Sequence, residues 1–361
     1  MSQIRAAVAH TFGHPLSIED VILRAPEMGE VEVTLEACAI CHSDIAFIDG
    51  GWGGTLPAVY GHEAAGRISA LGQGVQGFSI GDPVLVTLIR SCGTCAPCSG
   101  GSPVSCESPT PMQGPITLPD GSPVEQAMAC GAFAEKVVVH PSQIVPIPED
   151  MAMDVASLLS CGVITGVGAV VNSAELRPGQ TAVVIGAGGV GLNAIQGARI
   201  AGAAKIIAID MLEEKLDVAM EFGATHGILA SSEKPWQQIS ALTGGHMADA
   251  VFVTVGAIPA YESAPRYLSR KGRMVMVGMP HSGAMASYEP VVLAALGQSM
   301  IGTKMGDVVI RRDIPWLIDL YQQGRLKLDE LISGRWTLDQ INEAIADTKT
   351  GAARRNVVLF K

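Results

Sequence analysis

Residues 181–191 read TAVVIGAGGVG, and residues 205–210 read KIIAID. An apolar, β-branched run leads into Gly186, Ala187, Gly188, Gly189, Val190 and Gly191, and a helix-like stretch follows. In such a pattern Gly186 permits a tight turn, Gly188 lets the backbone approach a pyrophosphate, and Gly191 lets the helix pack on the sheet. The helix start then offers its free N–H groups to phosphates. Asp210 ends the next strand, where a carboxylate accepts hydrogen bonds from ribose hydroxyls and repels a 2′-phosphate. Met211 and Leu212 follow it, not arginine. The stretch therefore predicts NAD rather than NADP; glycines serving only a tight turn are the plain alternative. Lys215, one turn on, reads either as a ribose contact or as a solvated lysine.

Working outward, strand-like runs at 181–185, 205–209, 227–229, 249–255, 273–277 and 300–303 alternate with helical stretches such as 212–222, stopped by Gly223. Six strands with helical crossovers predict a doubly wound parallel sheet in an α/β fold. Residues 1–150 differ in texture. Short β-rich runs at 31–37, 84–89 and 133–139, separated by Gly/Pro clusters, predict an all-β, barrel-like unit. Near the C-terminus, helices are predicted at 314–323 and 338–348, then a strand at 356–360 that returns to the first domain. A length of 361 residues favours two domains.

The net charge of −11 argues against nucleic acid as a partner. The chain opens MSQIRAAVAHTFGHP, with no basic stretch followed by an apolar one, and its best apolar run, near 181–204, is cut by glycines. No membrane segment is predicted and a cytoplasmic location is expected.

Cys92, Cys95, Cys98 and Cys106 stand with two, two and seven residues between neighbours, in a Gly/Pro/Ser-rich loop (SCGTCAPCSGGSPVSCESP) without apolar periodicity. Four thiolates closing a tetrahedron on one Zn²⁺ would hold such a loop. A disulfide pair or free thiols is one alternative, an iron–sulfur cluster another. Four ligands fill a zinc ion, so chemistry must lie elsewhere. Cys41 (in ACAICHSD), His62 (in PAVYGHEAAG) and Cys161 (in SCGVITGVGA) are candidates for a three-ligand set with an open fourth position, the pattern of a catalytic zinc. Taken singly, each has a duller reading as a buried thiol or a satisfied histidine. Cys38 and Cys130 are left over and read as buried structural thiols.

With CHSD, GHEAAG, the four-cysteine lobe, SCG, GAGGVG and the closing RRNVVLF, the chain resembles the medium-chain, zinc-dependent alcohol dehydrogenase family over nearly its whole length. In its motifs it is most similar to the formaldehyde branch, which acts on thiol adducts, and the loop at 107–130 is part of that likeness. The resemblance implies a GroES-like β-barrel catalytic domain (1–162 and 305–361, zinc lobe at 91–107), a Rossmann dinucleotide-binding domain (163–304), and an active site in the cleft between them. It implies two Zn²⁺ per chain, one catalytic and one structural, and hydride transfer between an alcohol and NAD. Asp44 would hold the far nitrogen of His62, Glu63 would sit behind the ion, and Ser43 would accept the alcohol proton. His42 and Arg355 would contact the pyrophosphate; Thr165, Val190 and Val277 would line the nicotinamide pocket.

Many relatives end the proton relay with a histidine where this chain has Ala46, so the proton is expected to leave by water or another group. Trp52, Leu88, Phe133 and Met279 are expected at the substrate pocket. The branch places an arginine after the last lobe cysteine; here the stretch reads ESPTP, which speaks against a glutathione adduct. Lys304 reads either as facing an anionic substrate group or as a lysine in solvent. A formaldehyde dehydrogenase acting on the adduct of a low-molecular-weight thiol other than glutathione is the nearest rival. A catalytically inert dinucleotide-binding protein is the rival from another class. A homodimer paired through the Rossmann sheets is the expected assembly.

Overall fold

In this computed structural model, residues 1–108 and 114–360 are described. They divide into two compact units, one of residues 1–161, 309–322 and 328–361, the other of 162–308 and 323–327.

The first unit is β-rich, as its short runs between turns predict. Ser2–Ala9, Ser17–Leu23, Ile116–Thr117, Pro123–Gln126 and Ala58–Val59 close a barrel. Beside it is a seven-stranded sheet in which Val31–Ala39 pairs with Glu63–Leu71, Lys136–Val139 and the C-terminal Arg355–Leu359. Val8, Val33, Ile68, Phe133 and Val358 meet in one buried core. The C-terminal strand thus returns to the first unit. Asn356 fixes it there: its amide donates to Ala344 O, Asp347 Oδ2 (2.8 Å) and Thr348 Oγ1 (2.9 Å), and its Oδ1 accepts from Trp336 Nε1 (3.1 Å).

The second unit is a parallel sheet in the order His226–Leu229, Lys205–Asp210, Thr181–Ile185, Ala248–Val253, Leu268–Met276, Ser299–Gly302. The strand order reverses between Thr181–Ile185 and Ala248–Val253, the switch point beyond which such sheets bind ligands. Gly186 starts the connection to helix Gly189–Ile200 at that point.

Several boundaries differ from the pattern reading. The run expected from 133 becomes a strand only at Lys136, because Phe133 and Ala134 instead bond to the first strand: Ala7 N donates to Phe133 O and Ala134 bridges Ala6. The helix expected from 314 starts at Ile310, since Asp313 Oδ2 caps it by accepting from Val309 N (3.0 Å); Pro315 lies inside it. Residues 305–308 stay with the second unit, where Ser173 Oγ donates to Asp307 Oδ2 (2.5 Å), and 323–327 rejoin it through Gln196 and Lys327.

Replacing Asn356→Ala leaves the Trp336 N–H, Asp347 and Thr348 without their partner. We expect a loss of about 2 kcal/mol or more, read as a lower urea midpoint at unchanged slope.

Candidate catalytic metal centre and dinucleotide loop

Strand register assembles the first site. Ala39 pairs with Glu63 and Val357 with Ala39, both antiparallel. Carrying each register two residues on sets Cys41 beside Gly61 and His62, and opposite Arg355. Ile40 N donates to Asn356 O (2.9 Å), which confirms that alignment. Cys41 then caps helix His42–Ile48.

Asp44, in the first turn of that helix, is fully buried and accepts three hydrogen bonds: from Cys41 N (3.0 Å), Gly61 N (2.9 Å) and His62 Nδ1 (2.9 Å). Two of these donors are backbone N–H groups, so the carboxylate is held as an acceptor. The His62 proton therefore sits on Nδ1, and Nε2 presents a lone pair. That Nε2 is buried and has no hydrogen-bond partner among the described residues. One ligand atom from each of Cys41, His62, Glu63 and Cys161 lies within 4.8 Å of the others. Donors on a tetrahedral zinc at about 2.0–2.3 Å would stand about 3.5–3.8 Å apart, so Cys41, His62 and Cys161 fit that ion with its fourth position open, and the Glu63 carboxylate lies close by, paired with Arg355. Ser160 steadies the Cys161 side by donating to Ala64 O (3.1 Å).

The electrostatics are those of a cation site. A hydrogen bond from Cys161 holds the Cys41 thiol well below its ordinary range, against burial and helped by His62. The same bond, with burial, pushes Cys161 up. Burial opposes charge on His62, but Asp44 and Cys41 outweigh it and raise that imidazole. Burial pushes the Glu63 carboxyl up to about 8 even though Arg355 pulls it down. The pocket gathers ionisable donors away from solvent, most of them held protonated, and a bound cation would displace their protons.

Arg355 is 4% exposed. Its Nη1 lies 3.2 Å from Glu63 Oε1 and donates to Ile40 O (3.3 Å), which holds the guanidinium beside the candidate ligands. Ser43, half-buried, has its hydroxyl oxygen 3.6 Å from the Cys41 sulfur. His42 is exposed and Ala46 half-buried on the same helix.

The second cysteine group is local. The sulfurs of Cys92, Cys95, Cys98 and Cys106 all lie within 4.8 Å of one another, and none forms a disulfide. Cys92 Sγ accepts from Thr94 N (3.5 Å) and Cys95 N (3.3 Å), while Cys106 Sγ accepts from Cys92 N (3.3 Å) and Ser108 N (3.4 Å). The Thr94 and Cys95 N–H groups bring the Cys92 thiol down to about 6. Such N–H···S bonds stabilise thiolates gathered on one metal ion. Cys38 and Cys130 are fully buried in the barrel core, where burial raises both thiols.

In the second unit the glycines divide by role. Gly186 has φ +96°, and a Cβ there would lie 2.4 Å from Val255 Cγ1. A Cβ on Gly191 would lie 1.8 Å from Gly186 O. These two serve the fold. At Gly188 a Cβ would meet nothing within 4 Å, so the open space before the helix is free for a ligand. Asp210 braces the loop: Oδ2 accepts from Ala187 N (2.7 Å), and Oδ1 from Met211 N (2.7 Å) and Leu212 N (3.2 Å). Gly189 and Val190 open the helix, and Lys215 lies in the first turn of helix Glu213–Glu221. Thr165 donates to Met305 Sδ (3.8 Å), and Val277 N donates to Val253 O (3.0 Å) just beyond its strand.

The expected pocket residues fare unevenly. Phe133 is fully buried in the barrel core and offers no wall to a substrate: its ring packs against Gly61, where a Cβ would stand 2.6 Å from it. Met279 is 64% exposed, Leu88 is half-buried, and Lys304 is exposed. Trp52 is half-buried, edge-on to Phe47 with centroids 5.1 Å apart. Phe47 lies one turn after Ser43 on the same helix face, a spacing that the sequence reading overlooked. The loop at 107–130 and the ESPTP stretch include residues 109–113, which lie outside the described residues.

Two family models match, the alcohol dehydrogenase GroES-like domain over residues 27–149 and the zinc-binding dehydrogenase over 189–323. The chain is 35% identical to the NDMA-dependent alcohol dehydrogenase of Amycolatopsis methanolica, covering 98% of each protein. The chain belongs to the zinc-dependent, medium-chain alcohol dehydrogenase family. It is an alcohol oxidoreductase with the expected GroES-like and Rossmann-type architecture. Another relative, the S-(hydroxymethyl)glutathione dehydrogenase of Paracoccus denitrificans, is 34% identical over 99% of both chains. Among solved structures, benzyl alcohol dehydrogenase of Acinetobacter calcoaceticus superposes with a TM-score of 0.93 at 29% identity, covering all of both chains.

Asp44→Asn would put an amide N–H against the Cys41 N–H, the Gly61 N–H or the His62 ring. We expect zinc affinity to fall about 10–100-fold, measured by competition with a chromogenic chelator.

Proposed function

We propose that this dehydrogenase oxidises small alcohols, with NAD as hydride acceptor and two zinc ions per chain. Cys41, His62 and Cys161 would hold the catalytic ion, and Cys92, Cys95, Cys98 and Cys106 the structural one. The observation that carries the reading is the buried, unpartnered Nε2 of His62, fixed by Asp44 and aimed among two thiols. When bound, zinc supplies Lewis acidity toward the alcohol oxygen and the nicotinamide accepts hydride.

The chain's own residues do the rest. Ser43 offers a hydroxyl beside the cluster to take the alcohol proton. Ala46 has no ionisable group, so the proton passes onward through solvent. Glu63 and Arg355 balance charge behind the ligands. His42 and Arg355 would approach the pyrophosphate, while Thr165, Val190 and Val277 would face the nicotinamide. Gly188 leaves room for phosphates and Asp210 keeps oxygen lone pairs for the ribose; no cation follows it to favour a 2′-phosphate. The Phe47–Trp52 pair on the Ser43 face favours aromatic over short aliphatic alcohols, in keeping with the benzyl alcohol dehydrogenase likeness. The Paracoccus relative supports a thiol-adduct substrate as the second reading.

A homodimer is part of the proposal. Ser299–Gly302 pairs on one side only, and neighbouring helix Pro290–Leu296 exposes Val291 and Val292, with Met285 and Tyr288 close in sequence. No single described helix is long and apolar enough to cross a membrane. A cytoplasmic location is proposed with the rest.

The test is a panel of benzyl alcohol, ethanol, an anionic alcohol and formaldehyde with and without thiols, each with NAD or NDMA as acceptor. We expect NAD-linked turnover, greatest for the aromatic alcohol, that is lost on stripping the ion at Cys41. Full turnover after stripping, or no turnover with NAD, would overturn the proposal. Lys304→Met losing activity only toward the anionic alcohol would give Lys304 a substrate role; equal losses would leave it a solvent lysine. The glycine loop has its own test. Gly188→Ala should weaken NADH binding about tenfold or more at unchanged melting temperature, whereas Gly191→Ala should compromise the fold itself.

A further inference from the structure

Helix Gly189–Ile200 carries two polar side chains, Asn193 and Gln196, that are fully buried. Burial of amides is costly unless their hydrogen bonds are made. Here they are made in a line. Asn193 Nδ2 donates to Gly189 O (2.7 Å), and Gln196 Nε2 donates to Asn193 Oδ1 (3.1 Å). At the far end Lys327 N donates to Gln196 Oε1 (2.7 Å), while Gln196 Nε2 also donates to Lys327 O (3.0 Å).

The orientation of both amides is fixed. A backbone N–H can only donate and a backbone C=O can only accept, so Lys327 dictates which end of Gln196 is oxygen. Gln196 then dictates Asn193, and Gly189 O agrees from the other side. The Lys327 N–H, one N–H of Gln196 and one N–H of Asn193 therefore point in turn toward the glycine loop, while the second Gln196 N–H returns to Lys327 O. Gly189 C=O belongs to the same peptide group as Val190 N–H. Val190 is the second residue of the helix, so its N–H is among the donors that a helix start leaves without an intrahelical partner. A chain of amides hydrogen-bonded head to tail polarises along its length, about 10–30% per bond.

We propose that Asn193, Gln196 and the Lys327 N–H form an amide relay that strengthens the Val190 N–H as a phosphate donor and ties occupancy of the loop to the connector 323–327. Gln196 is a positioning residue; it acts through Asn193 and Gly189. The relay rests on the dinucleotide reading above. It joins two stretches distant in sequence: the loop that opens the helix, and the short return of chain after helix Ile310–Gln322. Arg199, which donates to Arg325 O, and Phe222, whose ring lies 5.7 Å from Lys327 Nζ, seat that return on the same unit. By reciprocity, a ligand that draws on the Val190 N–H must tighten the bond at Lys327.

The test uses full-length enzyme titrated with NADH, read by nicotinamide fluorescence and by amide hydrogen exchange. In the wild type, saturating NADH should slow exchange across residues 325–329 about fivefold or more. In Gln196→Met, which keeps length and volume but carries no amide, NADH should bind about two- to fivefold more weakly. Slowing at 325–329 should then fall below about twofold, and KM for NAD should rise while kcat holds. NADH binding to the wild type without any change at 325–329 would overturn the relay and leave the dinucleotide reading intact; this arm needs no variant to fold. Unaltered affinity and unaltered slowing in Gln196→Met would also overturn it. Failure of the wild type to bind NADH at all would overturn the dinucleotide reading and the relay together.

Discussion

The buried carboxylate of Asp44 is the constraint on which the first unit's chemistry depends. A charge taken out of water is tolerated only when its lone pairs are satisfied. Here the donors come from Cys41, Gly61 and His62. Each bond also does something for the site. The Cys41 bond starts the helix that presents Ser43, the Gly61 bond locks the strand entry, and the His62 bond selects the tautomer that leaves Nε2 free. A single side chain thus sets the geometry of one ligand and the protonation of another. Glu63 and Arg355 continue the arrangement beside them, so that two thiols and an imidazole stand together, buried.

The four-cysteine lobe solves a different problem. Its loop has little apolar to pack beyond the buried Val104, and N–H···S bonds and the shared focus of four sulfurs supply the rest of its order. It is built from neighbours in sequence, whereas the candidate catalytic set gathers Cys41 and His62 from the ends of paired strands and Cys161 from the end of the short helical turn Leu158–Ser160. The dinucleotide loop lies between these cases. Its turn is local, yet Asp210 from the next strand holds Ala187 in place, and Thr254 Oγ1 donates to Ile185 O and Gly186 O (2.9 Å each) from the strand beyond.

Much of the fold was legible because its signals are periodic. Alternating apolar runs and helical stretches gave the six parallel strands to within a few residues, and Gly223, at φ +112°, stops its helix as read. Errors cluster where side chains override period. Asp313 caps a helix that starts about one turn before the expected 314, and Phe133 leaves the strand pattern to fill the space that Gly61 vacates. Phe133 also shows why pocket residues are hard to read. A large aromatic in a β-rich run can face the core or the site, and only packing chooses.

By itself the sequence determined the ligand types, the spacing of the cysteine lobe, the glycine loop with its acidic partner, and the order of the elements. These are short-range properties, fixed by chain geometry and residue chemistry. Only the tertiary structure decided that Cys41, His62, Cys161 and Arg355 meet, because that meeting depends on two antiparallel registers between strands far apart in the chain. It alone decided that Asn193 and Gln196 point along one line to Lys327. Register and burial are set by the sum of many apolar contacts, and no local stretch carries that sum.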